Sequence, residues 1–269
     1  RALVTALGGG QALIDVDGSG QLALVVASGP GQRLYRQTAD GWTDATRGSG
    51  LDSAQLGSTA VGVVTADVDN NGAADVFVLR YGTSSLYRND GKGHFADVTQ
   101  QSGIPSYASL PSTAAFVDLD HDGDVDLVIG GAADLEATRR QTGRDWAFPA
   151  EFARAPLLVL RNDGKGHFTD ITQATKLDLR AHVLALVPTD FDNHRDVDLL
   201  VVTSDTPPLL FSNQRDGTFK DVAEPVGLVR GLGTSGGVTA VAVGDVNRDD
   251  APDFFFSHVG AQNCSSVTV

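Results

Sequence analysis

The chain has 269 residues, 41% of them hydrophobic, one cysteine, no methionine and a formal net charge of −14. That length allows a sizeable buried core, a single cysteine excludes a disulfide framework, and no apolar run approaches the roughly 18 residues that cross a bilayer as a helix. No basic stripe offsets the acidity, so nucleic acid is excluded as a partner.

An acidic nonapeptide recurs five times: DVDGSGQLA (15–23), DVDNNGAAD (67–75), DLDHDGDVD (118–126), DFDNHRDVD (190–198) and DVNRDDAPD (245–253). The copies begin 52, 51, 72 and 55 residues apart, which makes the chain one array of units of about fifty residues. Units are expected at about 8–50, 57–104, 110–176, 181–229 and 236–269, the last completed by 1–7.

The N-terminal stretch Ala2-Leu3-Val4-Thr5 matches Ala96–Thr99 and is expected to return as the outer strand of the last unit, closing a ring. In the first unit Asp15, Asp17 and Ser19 offer oxygen donors, but Ala23 stands where the other copies end in aspartate. The second unit shows the plan most clearly. VGVVTA precedes the acidic loop, DVFVLRY follows it, and SSLYRN and HFADVT are joined by DGKG, whose glycines permit a tight hairpin. This predicts a four-stranded antiparallel sheet with strands A to D. The hairpin recurs in the other units and places Trp42, Phe95, Phe168 and Phe219 at one equivalent position, expected to pack between sheets. His94 and His167 repeat with the hairpin and read as structural.

The third unit carries an insertion between strands B and C, AADLEATRRQTGRDWAFPAEFARAP (132–156), the one stretch with a trace of helical periodicity. Arg139, Arg140, Arg144 and Arg154 stand there beside Trp146, Phe148 and Phe152, a mixture suited to a carboxylated sugar or an acidic peptide. Loops expected on the same face add Tyr107, Arg180, His182 and Arg230. The competing reading has the insertion fold down and plug a central channel. In the fourth unit Asp190, Asp192 and Asp198 are followed by His194 and Arg195 at loop positions 5 and 6, and the guanidinium of Arg195 is expected to compete with a cation. The fifth supplies Asp245, Asn247, Asp249 and Asp253, then FFFSHV and a candidate third strand, SSVTV.

Four short strands per unit predict an all-β protein, a β-propeller of five four-stranded blades forming a single domain. In the template D-x-D-x-[DN]-G-x-x-D, side chains at positions 1, 3, 5 and 9 and the carbonyl at 7 turn toward one centre, a set of hard oxygen donors suited to Ca²⁺. Asp67, Asp69, Asn71 and Asp75, and likewise Asp118, Asp120, Asp122 and Asp126, are full sets. Zinc would need nitrogen or sulfur donors. An EF-hand would need glutamate at position 12, where Val78 and Ile129 stand.

These residues resemble the FG-GAP or VCBS-type repeat of the integrin α-chain propeller, and the pairing of DxDxDGxxD with RNDGKGHFxDVT resembles the propeller region of ASPIC/UnbV-containing proteins. The resemblance implies calcium between strands A and B, two to five ions per chain; for activity it implies little. Enzyme signals are poor. GTSGG around Ser235 precedes a strand instead of linking strand to helix. Glu136, Asp145, Glu151 and Glu224 show no spacing that suggests a glycosidase pair. The expectation is a monomeric, non-catalytic, extracytoplasmic recognition or adhesion module whose carbohydrate or protein ligand binds the face opposite the calcium loops. The alternatives are a polysaccharide-active enzyme with carboxylates in the channel, and a structural scaffold domain of a larger protein.

Overall fold

Period-two strands bounded by Gly, Asn and Asp turns fold here as five antiparallel sheets, one per repeat. The computed structural model describes residues 9–29, 31–52, 58–139, 148–229, 238–258 and 265–268. Blade 1 is β1 (Gly10–Asp15), β2 (Leu22–Ser28), β3 (Gly31–Thr38) and β4 (Gly41–Asp44). Blade 2 is β5 (Thr59–Ala66), β6 (Asp75–Tyr81), β7 (Ser85–Asn89) and β8 (Phe95–Asp97). Blade 3 is β9 (Leu110–Val117), β10 (Asp126–Ala133), β12 (Leu158–Asn162) and β13 (Phe168–Asp170), with β11 (Ala155–Pro156) interposed and paired to β14 (Arg180–Ala181). Blade 4 is β15 (Val183–Thr189), β16 (Asp198–Thr203), β17 (Leu209–Asn213) and β18 (Phe219–Asp221). Blade 5 is β19 (Val238–Gly244), β20 (Asp253–His258) and β21 (Ser265–Thr268). The SSVTV segment thus forms the expected third strand, while residues 1–7, assigned from sequence to the fourth, lie outside the described residues.

Register places each acidic loop at the same hairpin. The closing pairs are Asp15↔Leu22, Ala66↔Asp75, Val117↔Asp126, Thr189↔Asp198 and Gly244↔Asp253. Strands β6, β10 and β16 are buried almost throughout, because a second strand of a blade is covered on both faces by its neighbours. The core is therefore a series of blade-to-blade clusters instead of one centre. One joins Val25, Leu34 and Tyr87 of blades 1 and 2; another joins Phe77, Leu127 and Phe168 of blades 2 and 3. A third joins Val159, Val183 and Phe219, and the fourth joins Leu200, Leu210 and Phe254.

Backbone hydrogen bonds reinforce these seams. The amides of Phe95, Phe168 and Phe219 donate to Ser49, Ser102 and Thr175 of the preceding blade at 2.7, 2.7 and 2.9 Å. Gly50, at φ 88°, follows the first acceptor, and a Cβ there would stand 1.8 Å from the Phe95 carbonyl oxygen, so only glycine fits. Phe95, Phe168 and Phe219 are buried as expected, but Trp42 is 48% exposed, a correction to the sequence reading. The cause is position: no described blade precedes blade 1.

The insertion contains one short helix, α1 (Leu135–Arg139), whose first turn is capped by Asp134 Oδ1 accepting the Ala137 amide at 2.9 Å. Residues 140–147 lie outside the described residues. Among the described residues no helix is long and apolar enough to cross a membrane.

Candidate metal loops and the opposite face

Two left-handed residues, at positions 4 and 6, fold each nonapeptide. They are Asn70 and Gly72 (φ 55° and 87°), His121 and Gly123 (60° and 92°), Asn193 and Arg195 (60° and 68°), Arg248 and Asp250 (both 65°), and Gly18 and Gly20 (69° and 77°). Position 6 was expected from the glycine; position 4 was not. The bends aim backbone N–H groups at the first aspartate: Asp67 accepts from Asn71 at 3.1 Å and Gly72 at 2.8 Å, and Asp190 accepts from His194 at 3.0 Å and Arg195 at 2.9 Å.

The ninth residue is the buried anchor. Asp75 accepts from the Val68 amide (2.9 Å) and the Asn89 amide (2.7 Å); Asp126 accepts from Leu119 (3.0 Å) and Asn162 (2.9 Å); Asp198 accepts from Phe191 (3.2 Å) and Asn213 (2.8 Å). Burial pushes each of these carboxyls up to about 6, against the amides that favour the charged form; the neighbouring aspartates of the same loop push the same way.

Carboxylate oxygens of Asp67, Asp69 and Asp75 lie within 4.8 Å of one another, as do those of Asp118, Asp120 and Asp126, and those of Asp190, Asp192 and Asp198. Asp69 Oδ1 and Asp118 Oδ1 are buried with no hydrogen-bond partner. Such atoms are costly unless something else satisfies them, and a hard divalent cation fits an all-oxygen set with an uncompensated negative charge. Asn71 and Asp122 stand at the fifth position of the first two sets, Asn71 Oδ1 accepting the Ala73 amide and Asp122 Oδ1 the Asp124 amide. In the fifth loop Asp245, Asn247, Asp249 and Asp253 keep the fold, with Asn247 Nδ2 donating to Asp249 at 2.8 Å, but no three of its carboxylates converge.

The first and fourth loops depart from expectation in opposite ways. Arg195 is exposed and its guanidinium forms no ion pair with its loop's carboxylates; His194 Nδ1 lies 2.9 Å from Asp192, and the cluster forms. The guanidinium substitution occurs in the first loop instead, where Arg36 Nη1 donates to Asp17 at 2.6 Å and holds that carboxyl down at about 2. Asp15 and Ser19 are bound up with backbone amides.

Three asparagines, Asn89, Asn162 and Asn213, were passed over in the sequence. Each Nδ2 donates backward to the position-2 carbonyl of the preceding loop: to Val16 at 3.2 Å, Val68 at 2.8 Å and Leu119 at 2.9 Å. The loops also touch one another, Asn70 Nδ2 donating to Asp124 at 2.6 Å, His121 Nε2 lying 3.0 Å from Asp196, and Asn193 Nδ2 donating to Asp250 O at 3.1 Å. The recurring N in RND, RND and SNQ was the available signal.

On the opposite face the expected contact residues are largely engaged with the protein itself. Tyr107 is buried and its hydroxyl donates to the Pro156 carbonyl; His182 is buried, with Nδ1 2.6 Å from Ala132 O and its ring edge-on to Phe148. These two shape the surface from below, which corrects their expected place on it. Arg180 pairs with Asp134 and Arg154 with Asp205, each at 2.9 Å. Phe148 stacks at a tilt on Phe152. Arg139 ends α1, while Arg140, Arg144, Trp146 and Arg230 lie outside the described residues.

Antiparallel sheets, four-stranded in blades 1 to 4 and three-stranded among the described residues of blade 5, with an acidic loop at each A–B hairpin define a β-propeller of the loop-bearing kind. The FG-GAP-like repeat family matches residues 15–78, 67–129 and 190–256, more than half of the chain, and the chain belongs to it. Cartilage acidic protein 1 of Homo sapiens is 24% identical over 202 residues, covering 73% of this chain and 28% of that protein. The Xenopus tropicalis protein of the same name is 24% identical over 139 residues, covering 51% and 18%. The matched region thus spans 18% to 28% of the length of these relatives. A solved structure of an Agrocybe aegerita lectin, described as recognising non-reducing terminal N-acetylglucosamine, aligns with a TM-score of 0.53 at 18% identity over 93% of this chain and 60% of that one, a likeness of fold.

Proposed function

We propose that this propeller is a calcium-stabilised, non-catalytic recognition module of the extracellular space. The observation that carries the metal assignment is the convergence of three aspartates in each of the second, third and fourth loops, with buried, partnerless oxygens in two of them. Calcium there would neutralise mutual repulsion and supply the coordination those oxygens lack; Asp67, Asp69, Asn71 and Asp75 would hold one ion, and their counterparts the others. The fifth loop is the next to fill, and the first is left to Arg36. Metal analysis of dialysed protein, with thermal melts before and after chelation, tests this: two to four calcium ions per chain and a chelation-sensitive melt are expected, and a metal-free protein with an unchanged melt would refute it.

Recognition is supported by the similarity to the lectin and to the cartilage acidic proteins, which favours a carbohydrate or protein ligand. The insertion face, with Arg154, Phe148, Phe152 and Arg180, is the proposed contact surface. A glycan array run beside hydrolase and lyase assays tests it: saturable binding without turnover is expected, and turnover would overturn the non-catalytic reading.

A further inference from the structure

The ninth aspartates of the second, third and fourth loops are joined by one run of hydrogen bonds. Asp75 Oδ2 accepts the Val68 amide at 2.9 Å, and the Val68 carbonyl accepts Asn162 Nδ2 at 2.8 Å. The Asn162 amide donates in turn to Asp126 Oδ1 at 2.9 Å, which carries the run from one loop's anchor to the next. The following seam repeats the pattern: Asp126 Oδ2 accepts from Leu119 at 3.0 Å, Leu119 O from Asn213 Nδ2 at 2.9 Å, and Asp198 Oδ1 from the Asn213 amide at 2.8 Å. The three aspartates are at most 1% exposed and Asn162 is 3% exposed, so water offers these groups no substitute partner. An outer link runs beside the buried one. Asn70, at position 4, donates to Asp124 at position 7 of the following loop (2.6 Å), and His121, at position 4, lies 3.0 Å from Asp196 at position 7 of the next. Position 7 is the residue whose carbonyl turns toward the ion in the template. Toward the first loop the run stops: Asn89 Nδ2 reaches Val16 O at 3.2 Å, but Ala23 offers no carboxylate beyond it.

We infer that Asn162 and Asn213 are positioning residues shared by neighbouring sites, and that the second, third and fourth loops therefore take up calcium cooperatively. The inference rests on the calcium reading above and adds how its sites fill. An ion held by Asp126 fixes that carboxylate, hence the Asn162 backbone, hence the side chain that holds the Val68 carbonyl; the second loop is then ordered before its own ion arrives. Binding that orders a shared element lowers the entropic cost of the next binding event, and the coupling is reciprocal. Direct charge effects have the opposite sign, since one ion weakens the negative potential that attracts another. They act through turns that face solvent, where Asn71, Asp120 and Asp122 are exposed and salt screens charge beyond about 8 Å. The relay is buried and is screened much less, so ordering decides the sign. The third loop, linked on both sides, is the centre of the set.

Calorimetric titration of the calcium-stripped full chain with calcium chloride, at about 0.15 M salt, tests the inference. A Hill coefficient above 1 is expected, the last ion being held about tenfold more tightly than the first, a usual size for coupled sites. Asp120→Asn alters an exposed ligand of the central loop and leaves both asparagines in place. It should bind one ion fewer, hold the rest about tenfold more weakly and lose the cooperativity, because the run between the second and fourth loops passes through the emptied third. Asn162→Leu keeps the backbone donor to Asp126 and every ion ligand, so the ion count should stand while the Hill coefficient falls, a change that general destabilisation alone would not produce. Circular dichroism of the loaded variants checks their fold; should Asn162→Leu not fold, Asp120→Asn alone decides. A chain that takes up no calcium overturns the metal assignment and this inference together. Ions that bind the wild type on a simple hyperbola, or a slope left unchanged by either substitution in a folded chain, overturn the coupling alone.

Discussion

The first and second loops share a backbone and differ in what sits at their centre. Arg36 and Arg88 occupy the same strand position, yet Arg36 lies 2.6 Å from Asp17 while Arg88 stops 3.7 Å from Asp69. The difference follows from the ninth residue. Asp75 is buried and negative beside Asp67 and Asp69, so the second loop carries more charge than one guanidinium can compensate; Ala23 removes that charge from the first. The loop that has lost the ninth carboxylate thus holds an internal salt bridge where the others keep an acidic cluster, and the fold tolerates either.

The largest expected effect is on the second to fourth loops together. Removing calcium should destabilise the chain by several kcal/mol, since ions bound only by the folded state act by mass action; denaturant midpoints with and without chelator measure it. Next comes Asp126→Ala, which strips two buried amides of their acceptor and deletes a ligand. It should cost about 3 to 5 kcal/mol, the scale of an uncompensated buried group, and reduce the metal count by one. Asp17→Ala in the first loop, a partly exposed pair, should cost no more than about 1 kcal/mol and leave the count unchanged.

The comparison can also be reversed. Ala23→Asp with Arg36→Leu restores the ninth carboxylate and removes the competing cation, and should raise the calcium content by one ion per chain; an unchanged count would show that Ser19 and Gln21 matter more than the charge balance.

A pH series separates the loops more finely. Asp75, Asp126 and Asp198 sit at about 6 in the folded, metal-free protein against an ordinary 3.8, so their protonated forms favour the fold. That contribution is complete below 3.8 and is lost as pH rises through about 6. Metal-free protein should therefore melt lower at pH 7 than at pH 5, and added calcium should abolish the difference. Asp17, held at about 2, plays no part in this window, because its contribution is lost only on acidification toward 2.

Much of this was legible in the sequence because each signal was local. The acidic spacing marked the A–B hairpins, DGKG marked the C–D turns, and the aromatic after it marked the seam. What escaped was set by partners far along the chain. Asn89 was passed over because its acceptor, Val16, lies 73 residues away. Arg36, outside any acidic loop, was passed over, whereas Arg195 drew attention by standing inside one. Tyr107 and His182 read as surface residues from their loop positions, but Pro156 and Ala132, 49 and 50 residues distant, take up their polar atoms. Trp42 was misplaced because a repeat pattern assigns the same environment to every copy, whereas among the described residues no blade covers that side of blade 1.

The asparagine contacts also have a direction. Asn89, Asn162 and Asn213 all reach toward the N-terminus, so each loop depends on the blade that follows it and not on the one before. Pulled from its C-terminal end, the chain would surrender one loop's support with every blade that peels off; pulled from the other end, it would lose whole blades while the remaining loops kept theirs. The molecule therefore resists tension unequally in its two directions, a polarity written by three asparagine amides.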